Sequence, residues 1–536
     1  MTITTTPAEP WQAIAARKRE EAASKIPVEW TLPSKYTEGV NETSTASVLH
    51  VPRESGLLSA TELEITEKYD AVDLLKAIAA AKFTALEVTV AFSKRAAIAQ
   101  QLTQCLTETF FDEAIARAKE LDEYFAQTGK LKGPFHGLPI SLKDPFNVKG
   151  QKTTIGYVSF IGKPAAASNA PLVDILLELG AVLYVKTNIP QTMMSADSQN
   201  NVFGRVLNPH NPSLGAGGSS GGEGALIALR GSILGVGTDV AGSVRIPALC
   251  CGGFGFKPTV GRIPDGGQGS GGRKGSPGVA ACAGPLATTL RDLKLFMNTV
   301  MAEKPWNKDP GALAVPWRPS ATVTEGPLTI GVVGEDPVYP LQPPVVRSLN
   351  AAVDALKKDG HTIKLLKNIP SISDAAALAF NLFALDPNST HYKHIHASGE
   401  PEAPSLKDSL PDLWDNKYTV DDIFDFNAQR ADFVVQWKQI WLENGLDAIV
   451  MPGHRKTAGA HDTYGHPAYT VVWNLVDWPA CVIPYGKVDP ALDSVDATYD
   501  PSQYENAPCS IQVVARQFHD EELLGVASVI GKTLAG

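Results

Sequence analysis

Three residues in this sequence have the types and settings that acyl transfer needs: Lys143, Ser219 and Ser243. Ser219 lies in Gly217-Gly-Ser-Ser-Gly-Gly222, and Ser243 in Gly237-Thr-Asp-Val-Ala-Gly-Ser-Val-Arg-Ile-Pro247. Glycines on both sides let a backbone take unusual angles and come close to a ligand. A serine placed after Val240-Ala241-Gly242 can receive a carbonyl carbon while neighbouring backbone N–H groups bind the developing oxyanion. Lys143 ends the apolar run Gly137-Leu-Pro-Ile-Ser-Leu-Lys, so it is either a surface residue with a buried stem or a buried amine. Burial would move its pKa from about 10.4 towards neutrality, where the free amine can act as a base. One lysine and two such serines suffice for serine acylation without histidine.

Each feature also has a plainer explanation. A Gly-Ser step serves as a turn or a helix cap, and a glycine-rich loop can hold phosphate. Here no Gly-Lys-Ser/Thr follows, and the glycines miss the G-x-G-x-x-G spacing. Gly217-Gly-Ser219-Ser-Gly221 also satisfies G-x-S-x-G, which would make Ser219 the nucleophile and require a late histidine, for which His519 is the candidate. That reading leaves Lys143 and the Ser243 block without a role. Of the eleven histidines, His391, His394 and His396 superficially suggest a metal, but they lack a Cys or Glu-x-x-His context and read as exposed.

The elements that must position these residues follow from local pattern. Gly137–Leu142 reads as a buried strand, Pro171–Leu179 as a helix stopped by Gly180, and Ala181–Lys186 as a strand. Gly224–Leu229 predicts a helix starting just after Ser219, with free N–H groups pointing at it. Further on, Pro327–Gly334 and His361–Leu366 read as strands around a helical stripe of Val346, Leu349, Val353 and Leu356. A helix over 422–444 carries Trp437 and Trp441, and Leu446–Pro452 returns to the sheet. Upstream, Pro10 opens a helix through Ala23, Ser59 and Thr84 start capping boxes, and Phe111–Thr128 is an amphipathic surface helix. This strand-helix-strand order predicts an α/β fold: a large mixed, mainly parallel central sheet covered by helices on both faces. Residues 1–68 read as a helical and extended arm on the body, and 69–536 as one domain, with Pro-rich 304–326 the best internal boundary. Gly266–Gly278 is either a plain surface loop or a flap over the site.

Composition bounds the partners. The 536 residues carry 44% hydrophobic and 19% charged side chains, enough for a sizeable core. A net charge of −10 argues against a nucleic-acid or anionic-membrane partner. The six scattered cysteines form no CxxC pair and read as small core residues. The N-terminus has no apolar signal core, no run of about 18 apolar residues occurs, and the C-terminal KTLAG matches no targeting address, so the expectation is a cytoplasmic protein with no membrane span.

The stretch GGSSGGEGALIALRGSILGVGTDVAGSVRIP resembles the signature of the amidase signature family of serine hydrolases. PFHGLPISLKD, TNIPQTMMS and FGFKPTVGRIP resemble that family's flanking blocks, and the likeness runs from about residue 70 to the C-terminus. WQAIAARKREEAASKIP and YTVVWNLVDWPACVIP resemble its fungal acetamidase-type branch. Gly-Gly-Glu-Gly-Ala-Leu-Ile also resembles the fatty-acid amide hydrolase group, without a counterpart of its membrane-anchoring helix. The resemblance implies a triad of Lys143, Ser219 and Ser243, with Ser243 as nucleophile and Ser219 as a bridge preceded by a cis peptide bond. It further implies an oxyanion hole from the backbone of Val240, Ala241, Gly242 and Ser243, where Ala241 replaces the commoner glycine but keeps its N–H. Asp239 and Arg245 match charged positions that hold the loop, and Thr192, Met193, Gly217 and Gly218 match the family's acyl pocket. The implied substrate is a small-molecule amide, with no metal or organic cofactor and a possible homodimer. An ammonia-releasing amidotransferase subunit and a non-catalytic scaffold on the same fold are the alternatives.

Overall fold

The computed structural model describes residues 9–322, 326–409, 417–495 and 499–535. Its strands are β1 (Leu106–Thr109), β2 (Pro139–Lys143), β3 (Val182–Thr187), β4 (Gln199–Asn200), β5 (Gly204–Arg205), β6 (Leu234–Asp239) and β7 (Phe254–Lys257). They continue as β8 (Cys282–Ala287), β9 (Thr329–Val332), β10 (Thr362–Leu365), β11 (Ala448–Met451), β12 (Ala480–Lys487) and β13 (Pro508–Val514). Among the described residues, eleven of these make one sheet in the order β1-β3-β2-β6-β8-β7-β12-β13-β11-β9-β10, and β4 and β5 form a separate small hairpin.

Every residue of β2, β3, β8, β11 and β13 is buried. Successive strand residues point to opposite faces, so these strands are covered on both. The two edges differ. β10 is partly open, whereas the outer strand β1 is wholly buried and touches the helix Trp11–Ser24. That helix inserts the fully buried Lys18 against Glu108 of β1 at 2.6 Å. Trp30, Leu32, Val48, Val51, Leu58 and Ile65 join the same hydrophobic core as the sheet.

The sheet is mixed, as expected, but less parallel than the sequence pattern suggests. The β2–β3, β2–β6, β9–β11 and β9–β10 pairs are parallel. The other neighbouring pairs, β1–β3, β6–β8, β7–β8, β7–β12, β12–β13 and β11–β13, are antiparallel. Parallel pairing needs a crossover that usually carries a helix. Pro171–Glu178 joins β2 to β3, and Pro343–Lys358 joins β9 to β10. The connections from β7 to β8 and from β12 to β13 contain no α-helix among the described residues, and those strands run antiparallel.

Most helix signals appear where the sequence puts them. Ser59 and Thr84 each form a complete capping box, and Phe111–Thr128 is one helix. The helix Pro343–Lys358 buries Val345, Leu349, Ala352 and Leu356 while Val346 is exposed, so its apolar face starts one residue earlier than the predicted stripe. Trp437 and Trp441, on the helix Val420–Asn444, pack on Trp473 and Trp478 at ring-centroid distances of 4.9 and 5.6 Å. All six cysteines are buried and free.

Candidate active site

Lys143 is the last residue of β2, and its side chain is completely buried. Its Nζ lies 2.7 Å from Ser219 Oγ and 2.7 Å from Thr238 Oγ1, with the Thr238 carbonyl oxygen 3.4 Å away. Burial pushes the ammonium down to about 7, although Asp239, Asp265, Glu223 and Asp144 all pull it back up. The lysine thus sits where a cation is poorly hydrated and its hydrogen-bond partners are neutral. Such an amine exchanges a proton near neutral pH.

Ser219 precedes the helix Gly221–Ala228, and the Gly218–Ser219 peptide bond is cis. The helix starts where it does because successive glycines let it pass close under the neighbouring chain. A Cβ on Gly222 would collide with the backbone of Asn188 and Cys105, and the Gly222 N–H donates to the Asn188 carbonyl at 3.0 Å. Ser220 N donates to the carbonyl of Ser243 at 3.2 Å, which ties the two glycine-rich loops together. Ser219 and Ser243 are both buried.

The loop after β6 is held from below. Asp239 accepts Gly242 N–H at 2.8 Å, Val244 N–H at 3.1 Å, Asn474 Nδ2 at 2.8 Å and two Arg245 nitrogens at 3.0 and 3.1 Å. Burial alone would raise this carboxyl, but the Arg245 guanidinium and Asn474 hold it well below the usual carboxylate range. Arg245 also donates to the Thr470 carbonyl, Gln512 and Asn474 at 2.9, 2.7 and 2.6 Å. Gly242 has a φ of +124°, and a Cβ there would collide with Thr470 Oγ1, so a side chain is excluded twice over. Thr470 Oγ1 in turn donates to the Ala241 carbonyl at 2.7 Å. The Gly242 N–H is directed at Asp239, which makes that amide part of the loop's anchorage.

Ser243, Gly218, Val240 and Ala241 border a concave space of about 410 Å³, measured to its open mouth. Met193, Met194, Ile246, Phe380, Phe383 and Pro467 also line it, and no charged side chain is among its lining residues. Of the expected pocket residues, Met193 and Gly218 line this space, while Thr192 and Gly217 are not among its lining residues. Thr192 Oγ1 accepts Met194 N–H at 3.2 Å, and the Gly217 carbonyl accepts Ser198 Oγ at 2.9 Å. Thr192 and Met193 have φ of +71° and +62°, unusual for consecutive non-glycine residues, and the preceding Gln191 is fixed by Glu400 at 2.9 Å.

Sequence reading missed Phe380 and Phe383 because their helix, Ile372–Phe383, lies far along the chain and carries an ordinary apolar pattern. It also missed Glu223, a buried carboxyl in the first turn of Gly221–Ala228, where an acidic residue passes for a helix-dipole partner. His391 and His394 are not exposed as expected. His391 Nδ1 meets Tyr157 Oη at 2.6 Å, and the His394 ring packs edge-on to Phe160 at 4.8 Å. The late histidine of the G-x-S-x-G reading, His519, faces Glu522 at 3.5 Å, whereas Ser219 is bonded to a lysine. The segment 266–278 runs beside the end of β2, with Gly269 N donating to the Pro145 carbonyl at 2.7 Å. None of its residues lines the cavity.

The family model described as Amidase matches residues 87–524, from the second capping box to the last helix. This chain belongs to the amidase family. It is 44% identical over 527 residues to an amidase of Gibberella moniliformis, covering 98% of this chain and 99% of that one. It is 37% identical over 552 residues to an acetamidase of Emericella nidulans, covering 98% of each. Among solved structures, fatty acid amide hydrolase superposes with a TM-score of 0.91 at 33% identity, over 98% of this chain and 95% of the other. The amidase is an amide-hydrolysing enzyme, and no helix among its described residues is long and apolar enough to cross a membrane.

Proposed function

We propose that this amidase cleaves a small neutral amide to the acid and ammonia or an amine through an acyl-enzyme on Ser243. The observation that carries the reading is the 2.7 Å contact between the fully buried Lys143 Nζ and Ser219 Oγ, with Ser243 and Gly218, the residue before Ser219, both lining the cavity. In its neutral form Lys143 accepts the Ser219 proton while Ser219 accepts that of Ser243, and Ser243 Oγ attacks the amide carbon. Backbone N–H groups of Val240, Ala241 and Ser243 are the proposed oxyanion donors, with Gly242 holding the loop to Asp239. The proton returns through Ser219 to the leaving nitrogen as the C–N bond breaks. Water then repeats the cycle on the ester, and the acid leaves with Ser243 restored.

The lining of the cavity bears on the substrate. An apolar wall without a charged side chain suits an uncharged acyl group and offers no partner to the α-ammonium and α-carboxylate of glutamine. This favours an amidase over an ammonia-supplying amidotransferase subunit. The reading includes a cytoplasmic homodimer, which sedimentation at twice 57.1 kDa would support.

The deciding experiment follows ammonia release from acetamide, benzamide and a long-chain amide by wild type, Ser243→Ala and Ser219→Ala. The expected result is an inactive Ser243→Ala and a residue of activity in Ser219→Ala. Full activity in Ser243→Ala would overturn the nucleophile assignment, and a wild type silent on every amide would favour the scaffold.

A further inference from the structure

The mechanism above gives no role to Glu223, a completely buried carboxyl whose charge reaches the lysine. Glu223 projects from the first turn of Gly221–Ala228. Its Oε2 accepts Ser141 Oγ at 2.6 Å, and its Oε1 accepts Thr187 Oγ1 at 3.0 Å. Ser141 and Lys143 are alternate residues of β2 and share a face. On the adjoining strand β6, Gly235 pairs with Ser141, and a Cβ there would collide with both Glu223 Oε2 and Ser141 Oγ. One helix and three strands, β2, β3 and β6, are therefore shaped to hold a carboxyl whose charge reaches the lysine. An apolar residue would fill the same space without the cost of burying an ionisable group.

The four carboxyls whose charge reaches Lys143 are not equivalent. Asp239, from β6, is paired with Arg245. Asp144, next to the lysine in the chain, lies 3.7 Å from Lys186 and accepts Thr107 Oγ1 and Ile155 N–H. Asp265, from the connection after β7, is held by the Gln268 amide. Glu223 has two hydroxyls as its hydrogen-bond partners among the described residues, and Lys143 is the cation acting on its charge, as it is for Asp265.

We propose that Glu223 is a positioning residue for the general base, its carboxyl setting how readily Lys143 releases its proton. The inference rests on the reading of Lys143 as that base. Burial raises the Glu223 carboxyl to about 7, and the charge of Lys143 draws it back down. An ionised Glu223 retains the proton on the lysine, and a neutral one releases it.

The test is the pH profile of kcat/KM for Glu223→Gln, which keeps the shape and an acceptor oxygen but removes the charge. Losing an anion lowers the proton affinity of the neighbouring ammonium, so the acid limb should move to lower pH by about half a unit or more. Glu223→Asp should return the limb towards wild type. A Glu223→Gln limb that superimposes on wild type, with only the melting temperature lowered, would overturn the proposal. Should Glu223→Gln not fold, Thr187→Val strips one donor from the carboxylate and must move the limb in the same direction; an unmoved limb overturns the proposal equally. A wild-type profile lacking an acid limb near neutrality removes Lys143 as the base and this inference with it. A normal wild-type limb left in place by Glu223→Gln removes the inference alone.

Discussion

Lys143 and Arg245 are both completely buried cations near the proposed nucleophile, and they are treated in opposite ways. Arg245 has a carboxylate across from it, two side-chain amide oxygens and a backbone carbonyl, so each guanidinium nitrogen is satisfied. Lys143 has two hydroxyls and a distant carbonyl. A guanidinium keeps its proton at any working pH, and its planar fork fixes a loop geometrically. An amine among hydroxyls can give up its proton and still hold its place. The site combines one permanent charge that shapes the loop after β6 with one negotiable charge that does the proposed chemistry.

Five expectations sharpen or break that contrast. Ser243→Ala removes the proposed nucleophile and should lower kcat/KM by on the order of 10⁴-fold or more, with the melting temperature little changed. Lys143→Met should lower kcat by about 10³- to 10⁴-fold, by loss of the base. Because it also removes a poorly compensated buried cation, its stability in denaturant should hold or rise by about 1–4 kcal/mol. Arg245→Met leaves Asp239 buried and unpaired, and unfolding should become easier by about 3–5 kcal/mol. Equal stability losses in the two methionine variants would break the contrast.

The fourth expectation concerns pH. With the Lys143 ammonium lowered to about 7, kcat/KM should rise about tenfold per pH unit below that value and level off above it. The same shift affects stability. The unfolded lysine holds its proton up to about 10.4 and the folded one only to about 7, so the unfolded state binds more protons in that window. This group's contribution to stability therefore rises with pH from about 7 to 10.4, and urea titrations of Lys143→Met should lack that rise. The smallest effect is expected from Phe380→Ala, which opens the apolar wall. KM for a benzamide-sized substrate should rise about tenfold, while turnover of acetamide changes little.

The sequence was most legible where chemistry and local geometry coincide. The two glycine-flanked serines, the lysine ending an apolar run and both capping boxes were all readable, because each depends on residues within a few positions of one another. Strand direction in the middle of the sheet was not, since β7, β8, β12 and β13 find their neighbours across long connections. His391 and His394 read as exposed because nothing local announces the Tyr157 and Phe160 rings that cover them.

By itself the sequence determined the reactive residue types, the glycine-rich settings of both serines and the membership of the family. Only the tertiary structure decided that Lys143 is dry, that Arg245 is locked to Asp239, and that Glu223 is buried against Ser141 and Thr187 rather than open to water. Side-chain identity is local, but proton affinity depends on which dipoles, charges and waters surround a group, and those arrive from distant parts of the chain.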